Sequence, residues 1–101
     1  MLKLPYKRFF STLANAQRLE LINLLMKGPC NVGAMCGALK FNQSTVSHHL
    51  SRLESCKFVS VRRNGKERVY SLNRQTIVPM MGLMNKHVGK FCRHCEADDG
   101  R

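Results

Sequence analysis

The stretch NQSTVSHHLSRLESC, residues 42–56, carries side chains suited to three kinds of chemistry. His48 and His49 suggest a metal or a proton relay. Gln43, Ser44, Thr45 and Ser47 suggest hydrogen bonding to a polar ligand, and Cys56 is a soft donor or a nucleophile. Adjacent helical residues project about 100° apart, so the two imidazoles do not easily share one ion. No partner carboxylate or nucleophile stands at useful spacing from either ring. Residues 1–95 hold only three acids, which leaves little from which to build acid–base pairs. The chain is therefore not expected to be an enzyme. His48 falls with Ser44 and Ser47 on the polar edge, whereas His49 lies beside Val46 and Leu50, where a satisfied, partly buried ring is expected.

Charge points to the ligand. Lys and Arg number 17 against 6 acids, a formal +11. Three of the acids, Glu96, Asp98 and Asp99, fall in the last six residues, so residues 1–95 carry 16 bases against 3 acids, or +13. So positive a core expects a polyanion, with DNA or RNA the first candidate. The two tyrosines and absent tryptophan argue against a stacking RNA surface. No apolar run is long enough to span a membrane. Lys3, Lys7 and Arg8 interrupt any signal-peptide core, and five cysteines without such a signal read as reduced cytoplasmic thiols.

The elements that must position these residues follow from periodicity. A short helix holds Phe9, Phe10 and Leu13. A second, capped by Asn15, places Leu19, Ile22 and Leu25–Met26 at helical spacing before Gly28–Pro29. Asn31 caps a third, with Val32, Met35, Cys36 and Leu39 on one face. Asn42 starts a fourth, whose apolar face is Val46, Leu50, Leu53 and Phe58, and whose polar face is Gln43, Ser44, Ser47, His48 and Arg52. From Val59 the period changes to two. Val59 and Val61 on one arm answer Val69 or Tyr70 and Leu72 on the other, with Asn64–Gly65 as the turn and Arg62, Arg63, Lys66 and Arg68 around it. A last helix takes Pro79 in its first turn and carries Ile77, Met80–Met81, Met84, His87–Val88 and Phe91 on a stripe. The expected order is four helices, a hairpin and a fifth helix. Residues 1–95 form one domain, and 96–101 a disordered acidic tail.

Two short helices joined by KFN, then a basic hairpin, fit a mainly α winged helix-turn-helix, whose second helix enters the major groove. Gln43 can pair with adenine, Ser44, Thr45 and Ser47 with a base or a phosphate, and His48 with either. Arg52 shares that face, while Arg62, Arg63, Lys66 and Arg68 suit phosphates or a reach into the minor groove.

LANAQRLELINLL, QSTVSHHLSRLES and VRRNGKERVYSL together resemble the ArsR (ArsR/SmtB) family of metal-responsive repressors, over roughly residues 8–92. The resemblance implies a homodimer through the first and last helices. It also implies double-stranded DNA with a palindromic operator as partner, and release on inducer binding. Against the family's inducer sites, the one on the last helix looks lost: His87 is followed by Lys90, and Arg74 and Thr76 replace the acid and histidine. At the third helix Asn31 takes the usual cysteine place and Cys30 falls one residue early. Cys56 matches one of a cysteine pair on the recognition helix, with Arg52 in place of the other, and Cys92 and Cys95, with His94, could approach from the partner's tail. These donors suit zinc, cadmium, lead or arsenite. Thiol oxidation, an inducer-free regulator and a nonspecific architectural role are the alternatives.

Overall fold

A computed structural model describes residues 3–92. Three of its helices begin where an asparagine side chain takes over a backbone N–H that the first turn leaves unpaired. Asn15 Oδ1 accepts from Arg18 N at 3.0 Å and starts α2, Ala16–Leu25. Asn31 does the same for Ala34 N at 2.7 Å and starts α3, Val32–Leu39. Asn42 accepts from Thr45 N at 2.8 Å and starts α4, Gln43–Ser55. Ahead of them runs α1, Leu4–Leu13, with Pro5 in its first turn, and the last helix is α5, Ile77–Phe91.

Strand β2, Val59–Asn64, pairs antiparallel with β3, Glu67–Leu72, in a register that sets Val61 opposite Tyr70, Arg63 opposite Arg68 and Asn64 opposite Glu67. The turn falls one residue later than the sequence suggests. Asn64 ends the strand, and Gly65–Lys66 form the two-residue loop with positive φ at Gly65 alone (+67°), the type II′ arrangement. The sheet also has a third strand: Cys30–Asn31, β1, pairs with Tyr70 and Val69 of β3. Two residues are too few to display a period of two, so the sequence carries no mark of this strand.

Helix α4 ends in a full Schellman motif. Lys57 takes the left-handed conformation (φ 62°), its N–H bonds Glu54 O at 3.0 Å, and Phe58 N bonds Leu53 O at 2.9 Å. Leu53 and Phe58, the residues that make the apolar contact of this motif, are both buried in the same core cluster. The chain thereby turns straight into β2, so α4 and the hairpin meet at a hydrogen-bonded corner. Asn73 closes the other side: its N–H donates to Phe58 O at 2.9 Å and its side-chain amide to Lys57 O at 3.1 Å.

The core gathers Leu21, Ile22 and Leu25 from α2, Met35 from α3, and Val46, Leu50 and Leu53 from α4. Phe58, Val59, Tyr70 and Leu72 of the corner and sheet join them, with Ile77 and Met81 of α5. Leu21 replaces Leu19, which the sequence pattern puts inward. Leu19 is exposed because α2 turns its 18–21–22–25 face to α4, and that face includes Arg18.

Candidate nucleic-acid interface

The first turns of α4 project from the corner between α3 and the hairpin. Gln43, Ser44, Ser47 and His48 are exposed there, and Thr45 is half-buried. Ser44 Oγ donates to Asn42 Oδ1 at 3.0 Å, which leaves its lone pairs outward. Across an open cleft of about 510 Å³ stand Lys66 and Arg68 of the hairpin; its α4 wall is Gln43, Ser47, Ser51 and Glu54. Arg62, Arg63, Lys66 and Arg68 are all exposed. Asn31 braces the cleft floor: while Oδ1 caps α3, Nδ2 donates to Glu67 Oε2 at 2.9 Å. The polar edge of α4 thus looks across the cleft at Lys66 and Arg68 of the hairpin.

His49 points the other way. It is 6% exposed, and both ring nitrogens are taken. Arg18 Nη1 donates to Nδ1 at 3.3 Å, so the ring proton resides on Nε2, which donates to Gln17 Oε1 at 2.8 Å. This fulfils the expectation of a satisfied inner histidine and removes His49 as a metal ligand. Burial first, then the Arg18 and His48 charges, hold its pKa below the ordinary histidine value.

Sequence reasoning missed Arg18, a buried arginine (8% exposed) inside an apolar helix period. The acceptors that satisfy it are main-chain carbonyls and an imidazole, which no residue pattern reveals. Arg52 also departs from expectation. It lies on the exposed side of α4, but its guanidinium turns back to α1, where Nε donates to Thr12 Oγ1 at 3.2 Å and Nη2 to Ser11 Oγ at 3.3 Å.

Of the thiols, Cys30, Cys36, Cys56 and Cys92 are half-buried. Burial pushes the Cys30 pKa up, which disfavours the thiolate needed for coordination. Cys56 Sγ lies 3.4 Å from Thr12 Oγ1. The Thr12 hydroxyl already donates to Arg8 O at 2.7 Å, so the thiol is the donor. His94 and Cys95 lie outside the described residues, as does the acidic tail. Among the described residues no three His, Cys, Asp or Glu side chains group to hold a metal.

Residues 15–61 match the family described as "Bacterial regulatory protein, arsR family". The transcriptional repressor PagR of Bacillus anthracis is 36% identical over 73% of this chain and 75% of its own length. The chain belongs to the ArsR family. That is a family of regulatory proteins, not of enzymes. Another similar ArsR-type protein is a probable mercury resistance operon repressor of Streptomyces lividans, 34% identical over 75% of this chain and 61% of that one. Against four curated relatives the chain spans between 48% and 66% of their length. Among solved structures, the homodimeric winged helix-turn-helix DNA-binding domain Mb0332 of Mycobacterium bovis superposes with a TM-score of 0.83. It is 28% identical, over 89% of this chain and 83% of that one. The fold is accordingly a winged helix-turn-helix: α3 and α4 are the helix-turn-helix, and β2–β3 the wing. Among the described residues no helix is long and apolar enough to cross a membrane.

Proposed function

We propose that this ArsR-family chain is a homodimeric repressor of transcription in the cytoplasm, which reads a palindromic operator in double-stranded DNA with α4 and holds it with the wing. The observation that carries the reading is the exposed edge Gln43, Ser44, Ser47 and His48 beside the cationic ribbon. Had that edge packed inward, base readout would have no surface to use. Gln43, Ser44, Thr45, Ser47 and His48 meet base edges or nearby phosphates, and Arg62, Arg63, Lys66 and Arg68 meet phosphates. Replacing Ser47 and His48 together with alanine should weaken an operator duplex about tenfold or more while changing a scrambled duplex little, since each base contact is worth about 1–3 kcal/mol. Equal loss on both, or single-stranded RNA competing as well as duplex, would identify a nonspecific module instead.

The inducer in this reading is a soft or borderline ion, zinc, cadmium, lead or arsenite, taken by Cys56 with Cys92 and Cys95 of the partner, and His94 or Cys30 as further donors. Thiolate and imidazole chemistry supports it, as does the mercury repressor among the relatives. Ion binding there would shift the angle between the two recognition helices and release the operator. Titration of the reduced dimer with these ions, read as release of a labelled duplex, tests it. Unchanged affinity and release after Cys56, Cys92 and Cys95 are all converted to serine would remove this assignment.

A further inference from the structure

A helix leaves its last carbonyls without partners. At the end of α1 two of them are taken by a buried guanidinium from the next helix: Arg18 Nε donates to Thr12 O at 2.7 Å and Nη2 to Ser11 O at 3.3 Å. The third arm of the same fork reaches His49 of α4. From the other side Arg52, also of α4, grips the hydroxyls of the same two residues. Ser11 and Thr12 are thus held by their carbonyls from α2 and by their side chains from α4. All these acceptors are neutral, and a cation is favoured at a helix C-terminus by its dipole. The planar, fixed fork of arginine suits such a multipoint grip. Two of the five Arg52 N–H donors are spent on α1, Nε on Thr12 and Nη2 on Ser11, so a bidentate grip on a phosphate through that edge of the fork would compete with these bonds.

We infer that Arg18 and Arg52 form a joint fixing the recognition helix to the end of α1, and that Arg52 positions that helix instead of touching DNA. The inference rests on the DNA-reading dimer proposed above. Helix α1 contributes to the dimer's apolar face, so its angle to α4 sets the distance between the two recognition helices. That distance must match one turn of DNA, about 34 Å. Arg52 is then a determinant of half-site spacing.

The test starts from duplexes that the wild-type protein enriches from a random pool, remade with the gap between half-sites changed by one and two base pairs. Arg52→Gln should weaken the best duplex about tenfold, the scale of one or two hydrogen bonds from a charged donor. It should also flatten the preference among gaps, and leave scrambled-duplex affinity and its salt slope unchanged. Arg52→Lys, which keeps the charge but not the fork, should behave like Arg52→Gln. Ser11→Ala should move the same way to a smaller degree, and the double variant with Arg52→Gln should lose no more than Arg52→Gln alone. Ser11 and Arg52 are both exposed, and thermal melts confirm that the variants fold. The joint is overturned if Arg52→Gln weakens scrambled duplex equally, lowers the salt slope by about one and is rescued by lysine, which is the behaviour of a phosphate contact. Additive losses overturn it too. A pool that yields no enriched two-half-site duplex overturns the DNA reading itself, and with it this role for Arg52.

Discussion

At the scale of single residues, His49 is tuned to remain neutral. Protonating it would put a second positive charge against Arg18 and remove the Nδ1 lone pair that Arg18 bonds. Arg18 from α2 and His48 from α4 are the charged or titratable groups that act on it. Its folded pKa lies below the ordinary 6.5, so below that pH the unfolded chain binds a proton that the folded chain refuses. Stability is then lost as pH falls from about 6.5 towards the depressed value, and is fully present above. Urea unfolding at a series of pH values should show this slope, and His49→Gln should remove it. Lys57 makes a second prediction. It occupies the left-handed position of the Schellman motif where glycine is unstrained, so Lys57→Gly should stabilise the fold by about 0.5–1 kcal/mol in the same assay.

At the scale of elements, α4 gives one face to the core and leaves exposed the edge proposed to read DNA. Truncating Leu50, which is buried beneath the reading edge, should cost about 3 kcal/mol of stability by cavity formation. The wing predicts the converse: replacing Arg62, Arg63 and Lys66 with alanine should leave stability nearly intact, weaken all duplexes alike, and reduce the salt slope by about one per lost phosphate contact. Much of this was legible in the sequence. Asparagine caps, a helical apolar period in 46–58 and a period of two after Val59 each report a local rule, and local rules survive folding. The turn was misplaced by one residue because Asn64–Gly65 and Gly65–Lys66 both satisfy turn chemistry, and only pairing of Asn64 with Glu67 decides between them. Strand β1 and the Arg18 grip are long-range arrangements, made between residues whose types carry no mark of the partner.

At the scale of the whole molecule, α1 and α5 leave apolar surface uncovered: Leu4, Tyr6 and Phe10 on one, Leu83 (68% exposed), Val88 and Phe91 (58%) on the other. A second copy is the occupant that the ArsR reading supplies. Leu83→Glu should therefore yield monomers by sedimentation and cost about a hundredfold or more in operator affinity, because two half-sites would no longer be held at once. The stacked arginines of the ribbon carry a last consequence. Arg63 stands directly across from Arg68, a like-charge rung that opposes closure of the ladder it belongs to. The hairpin tip is thus frustrated when the protein is alone, and a polyanion relieves the repulsion. Amides beyond Arg62 should exchange with deuterium readily in the free protein and become protected on duplex, so that ordering the ribbon draws part of the free energy of association.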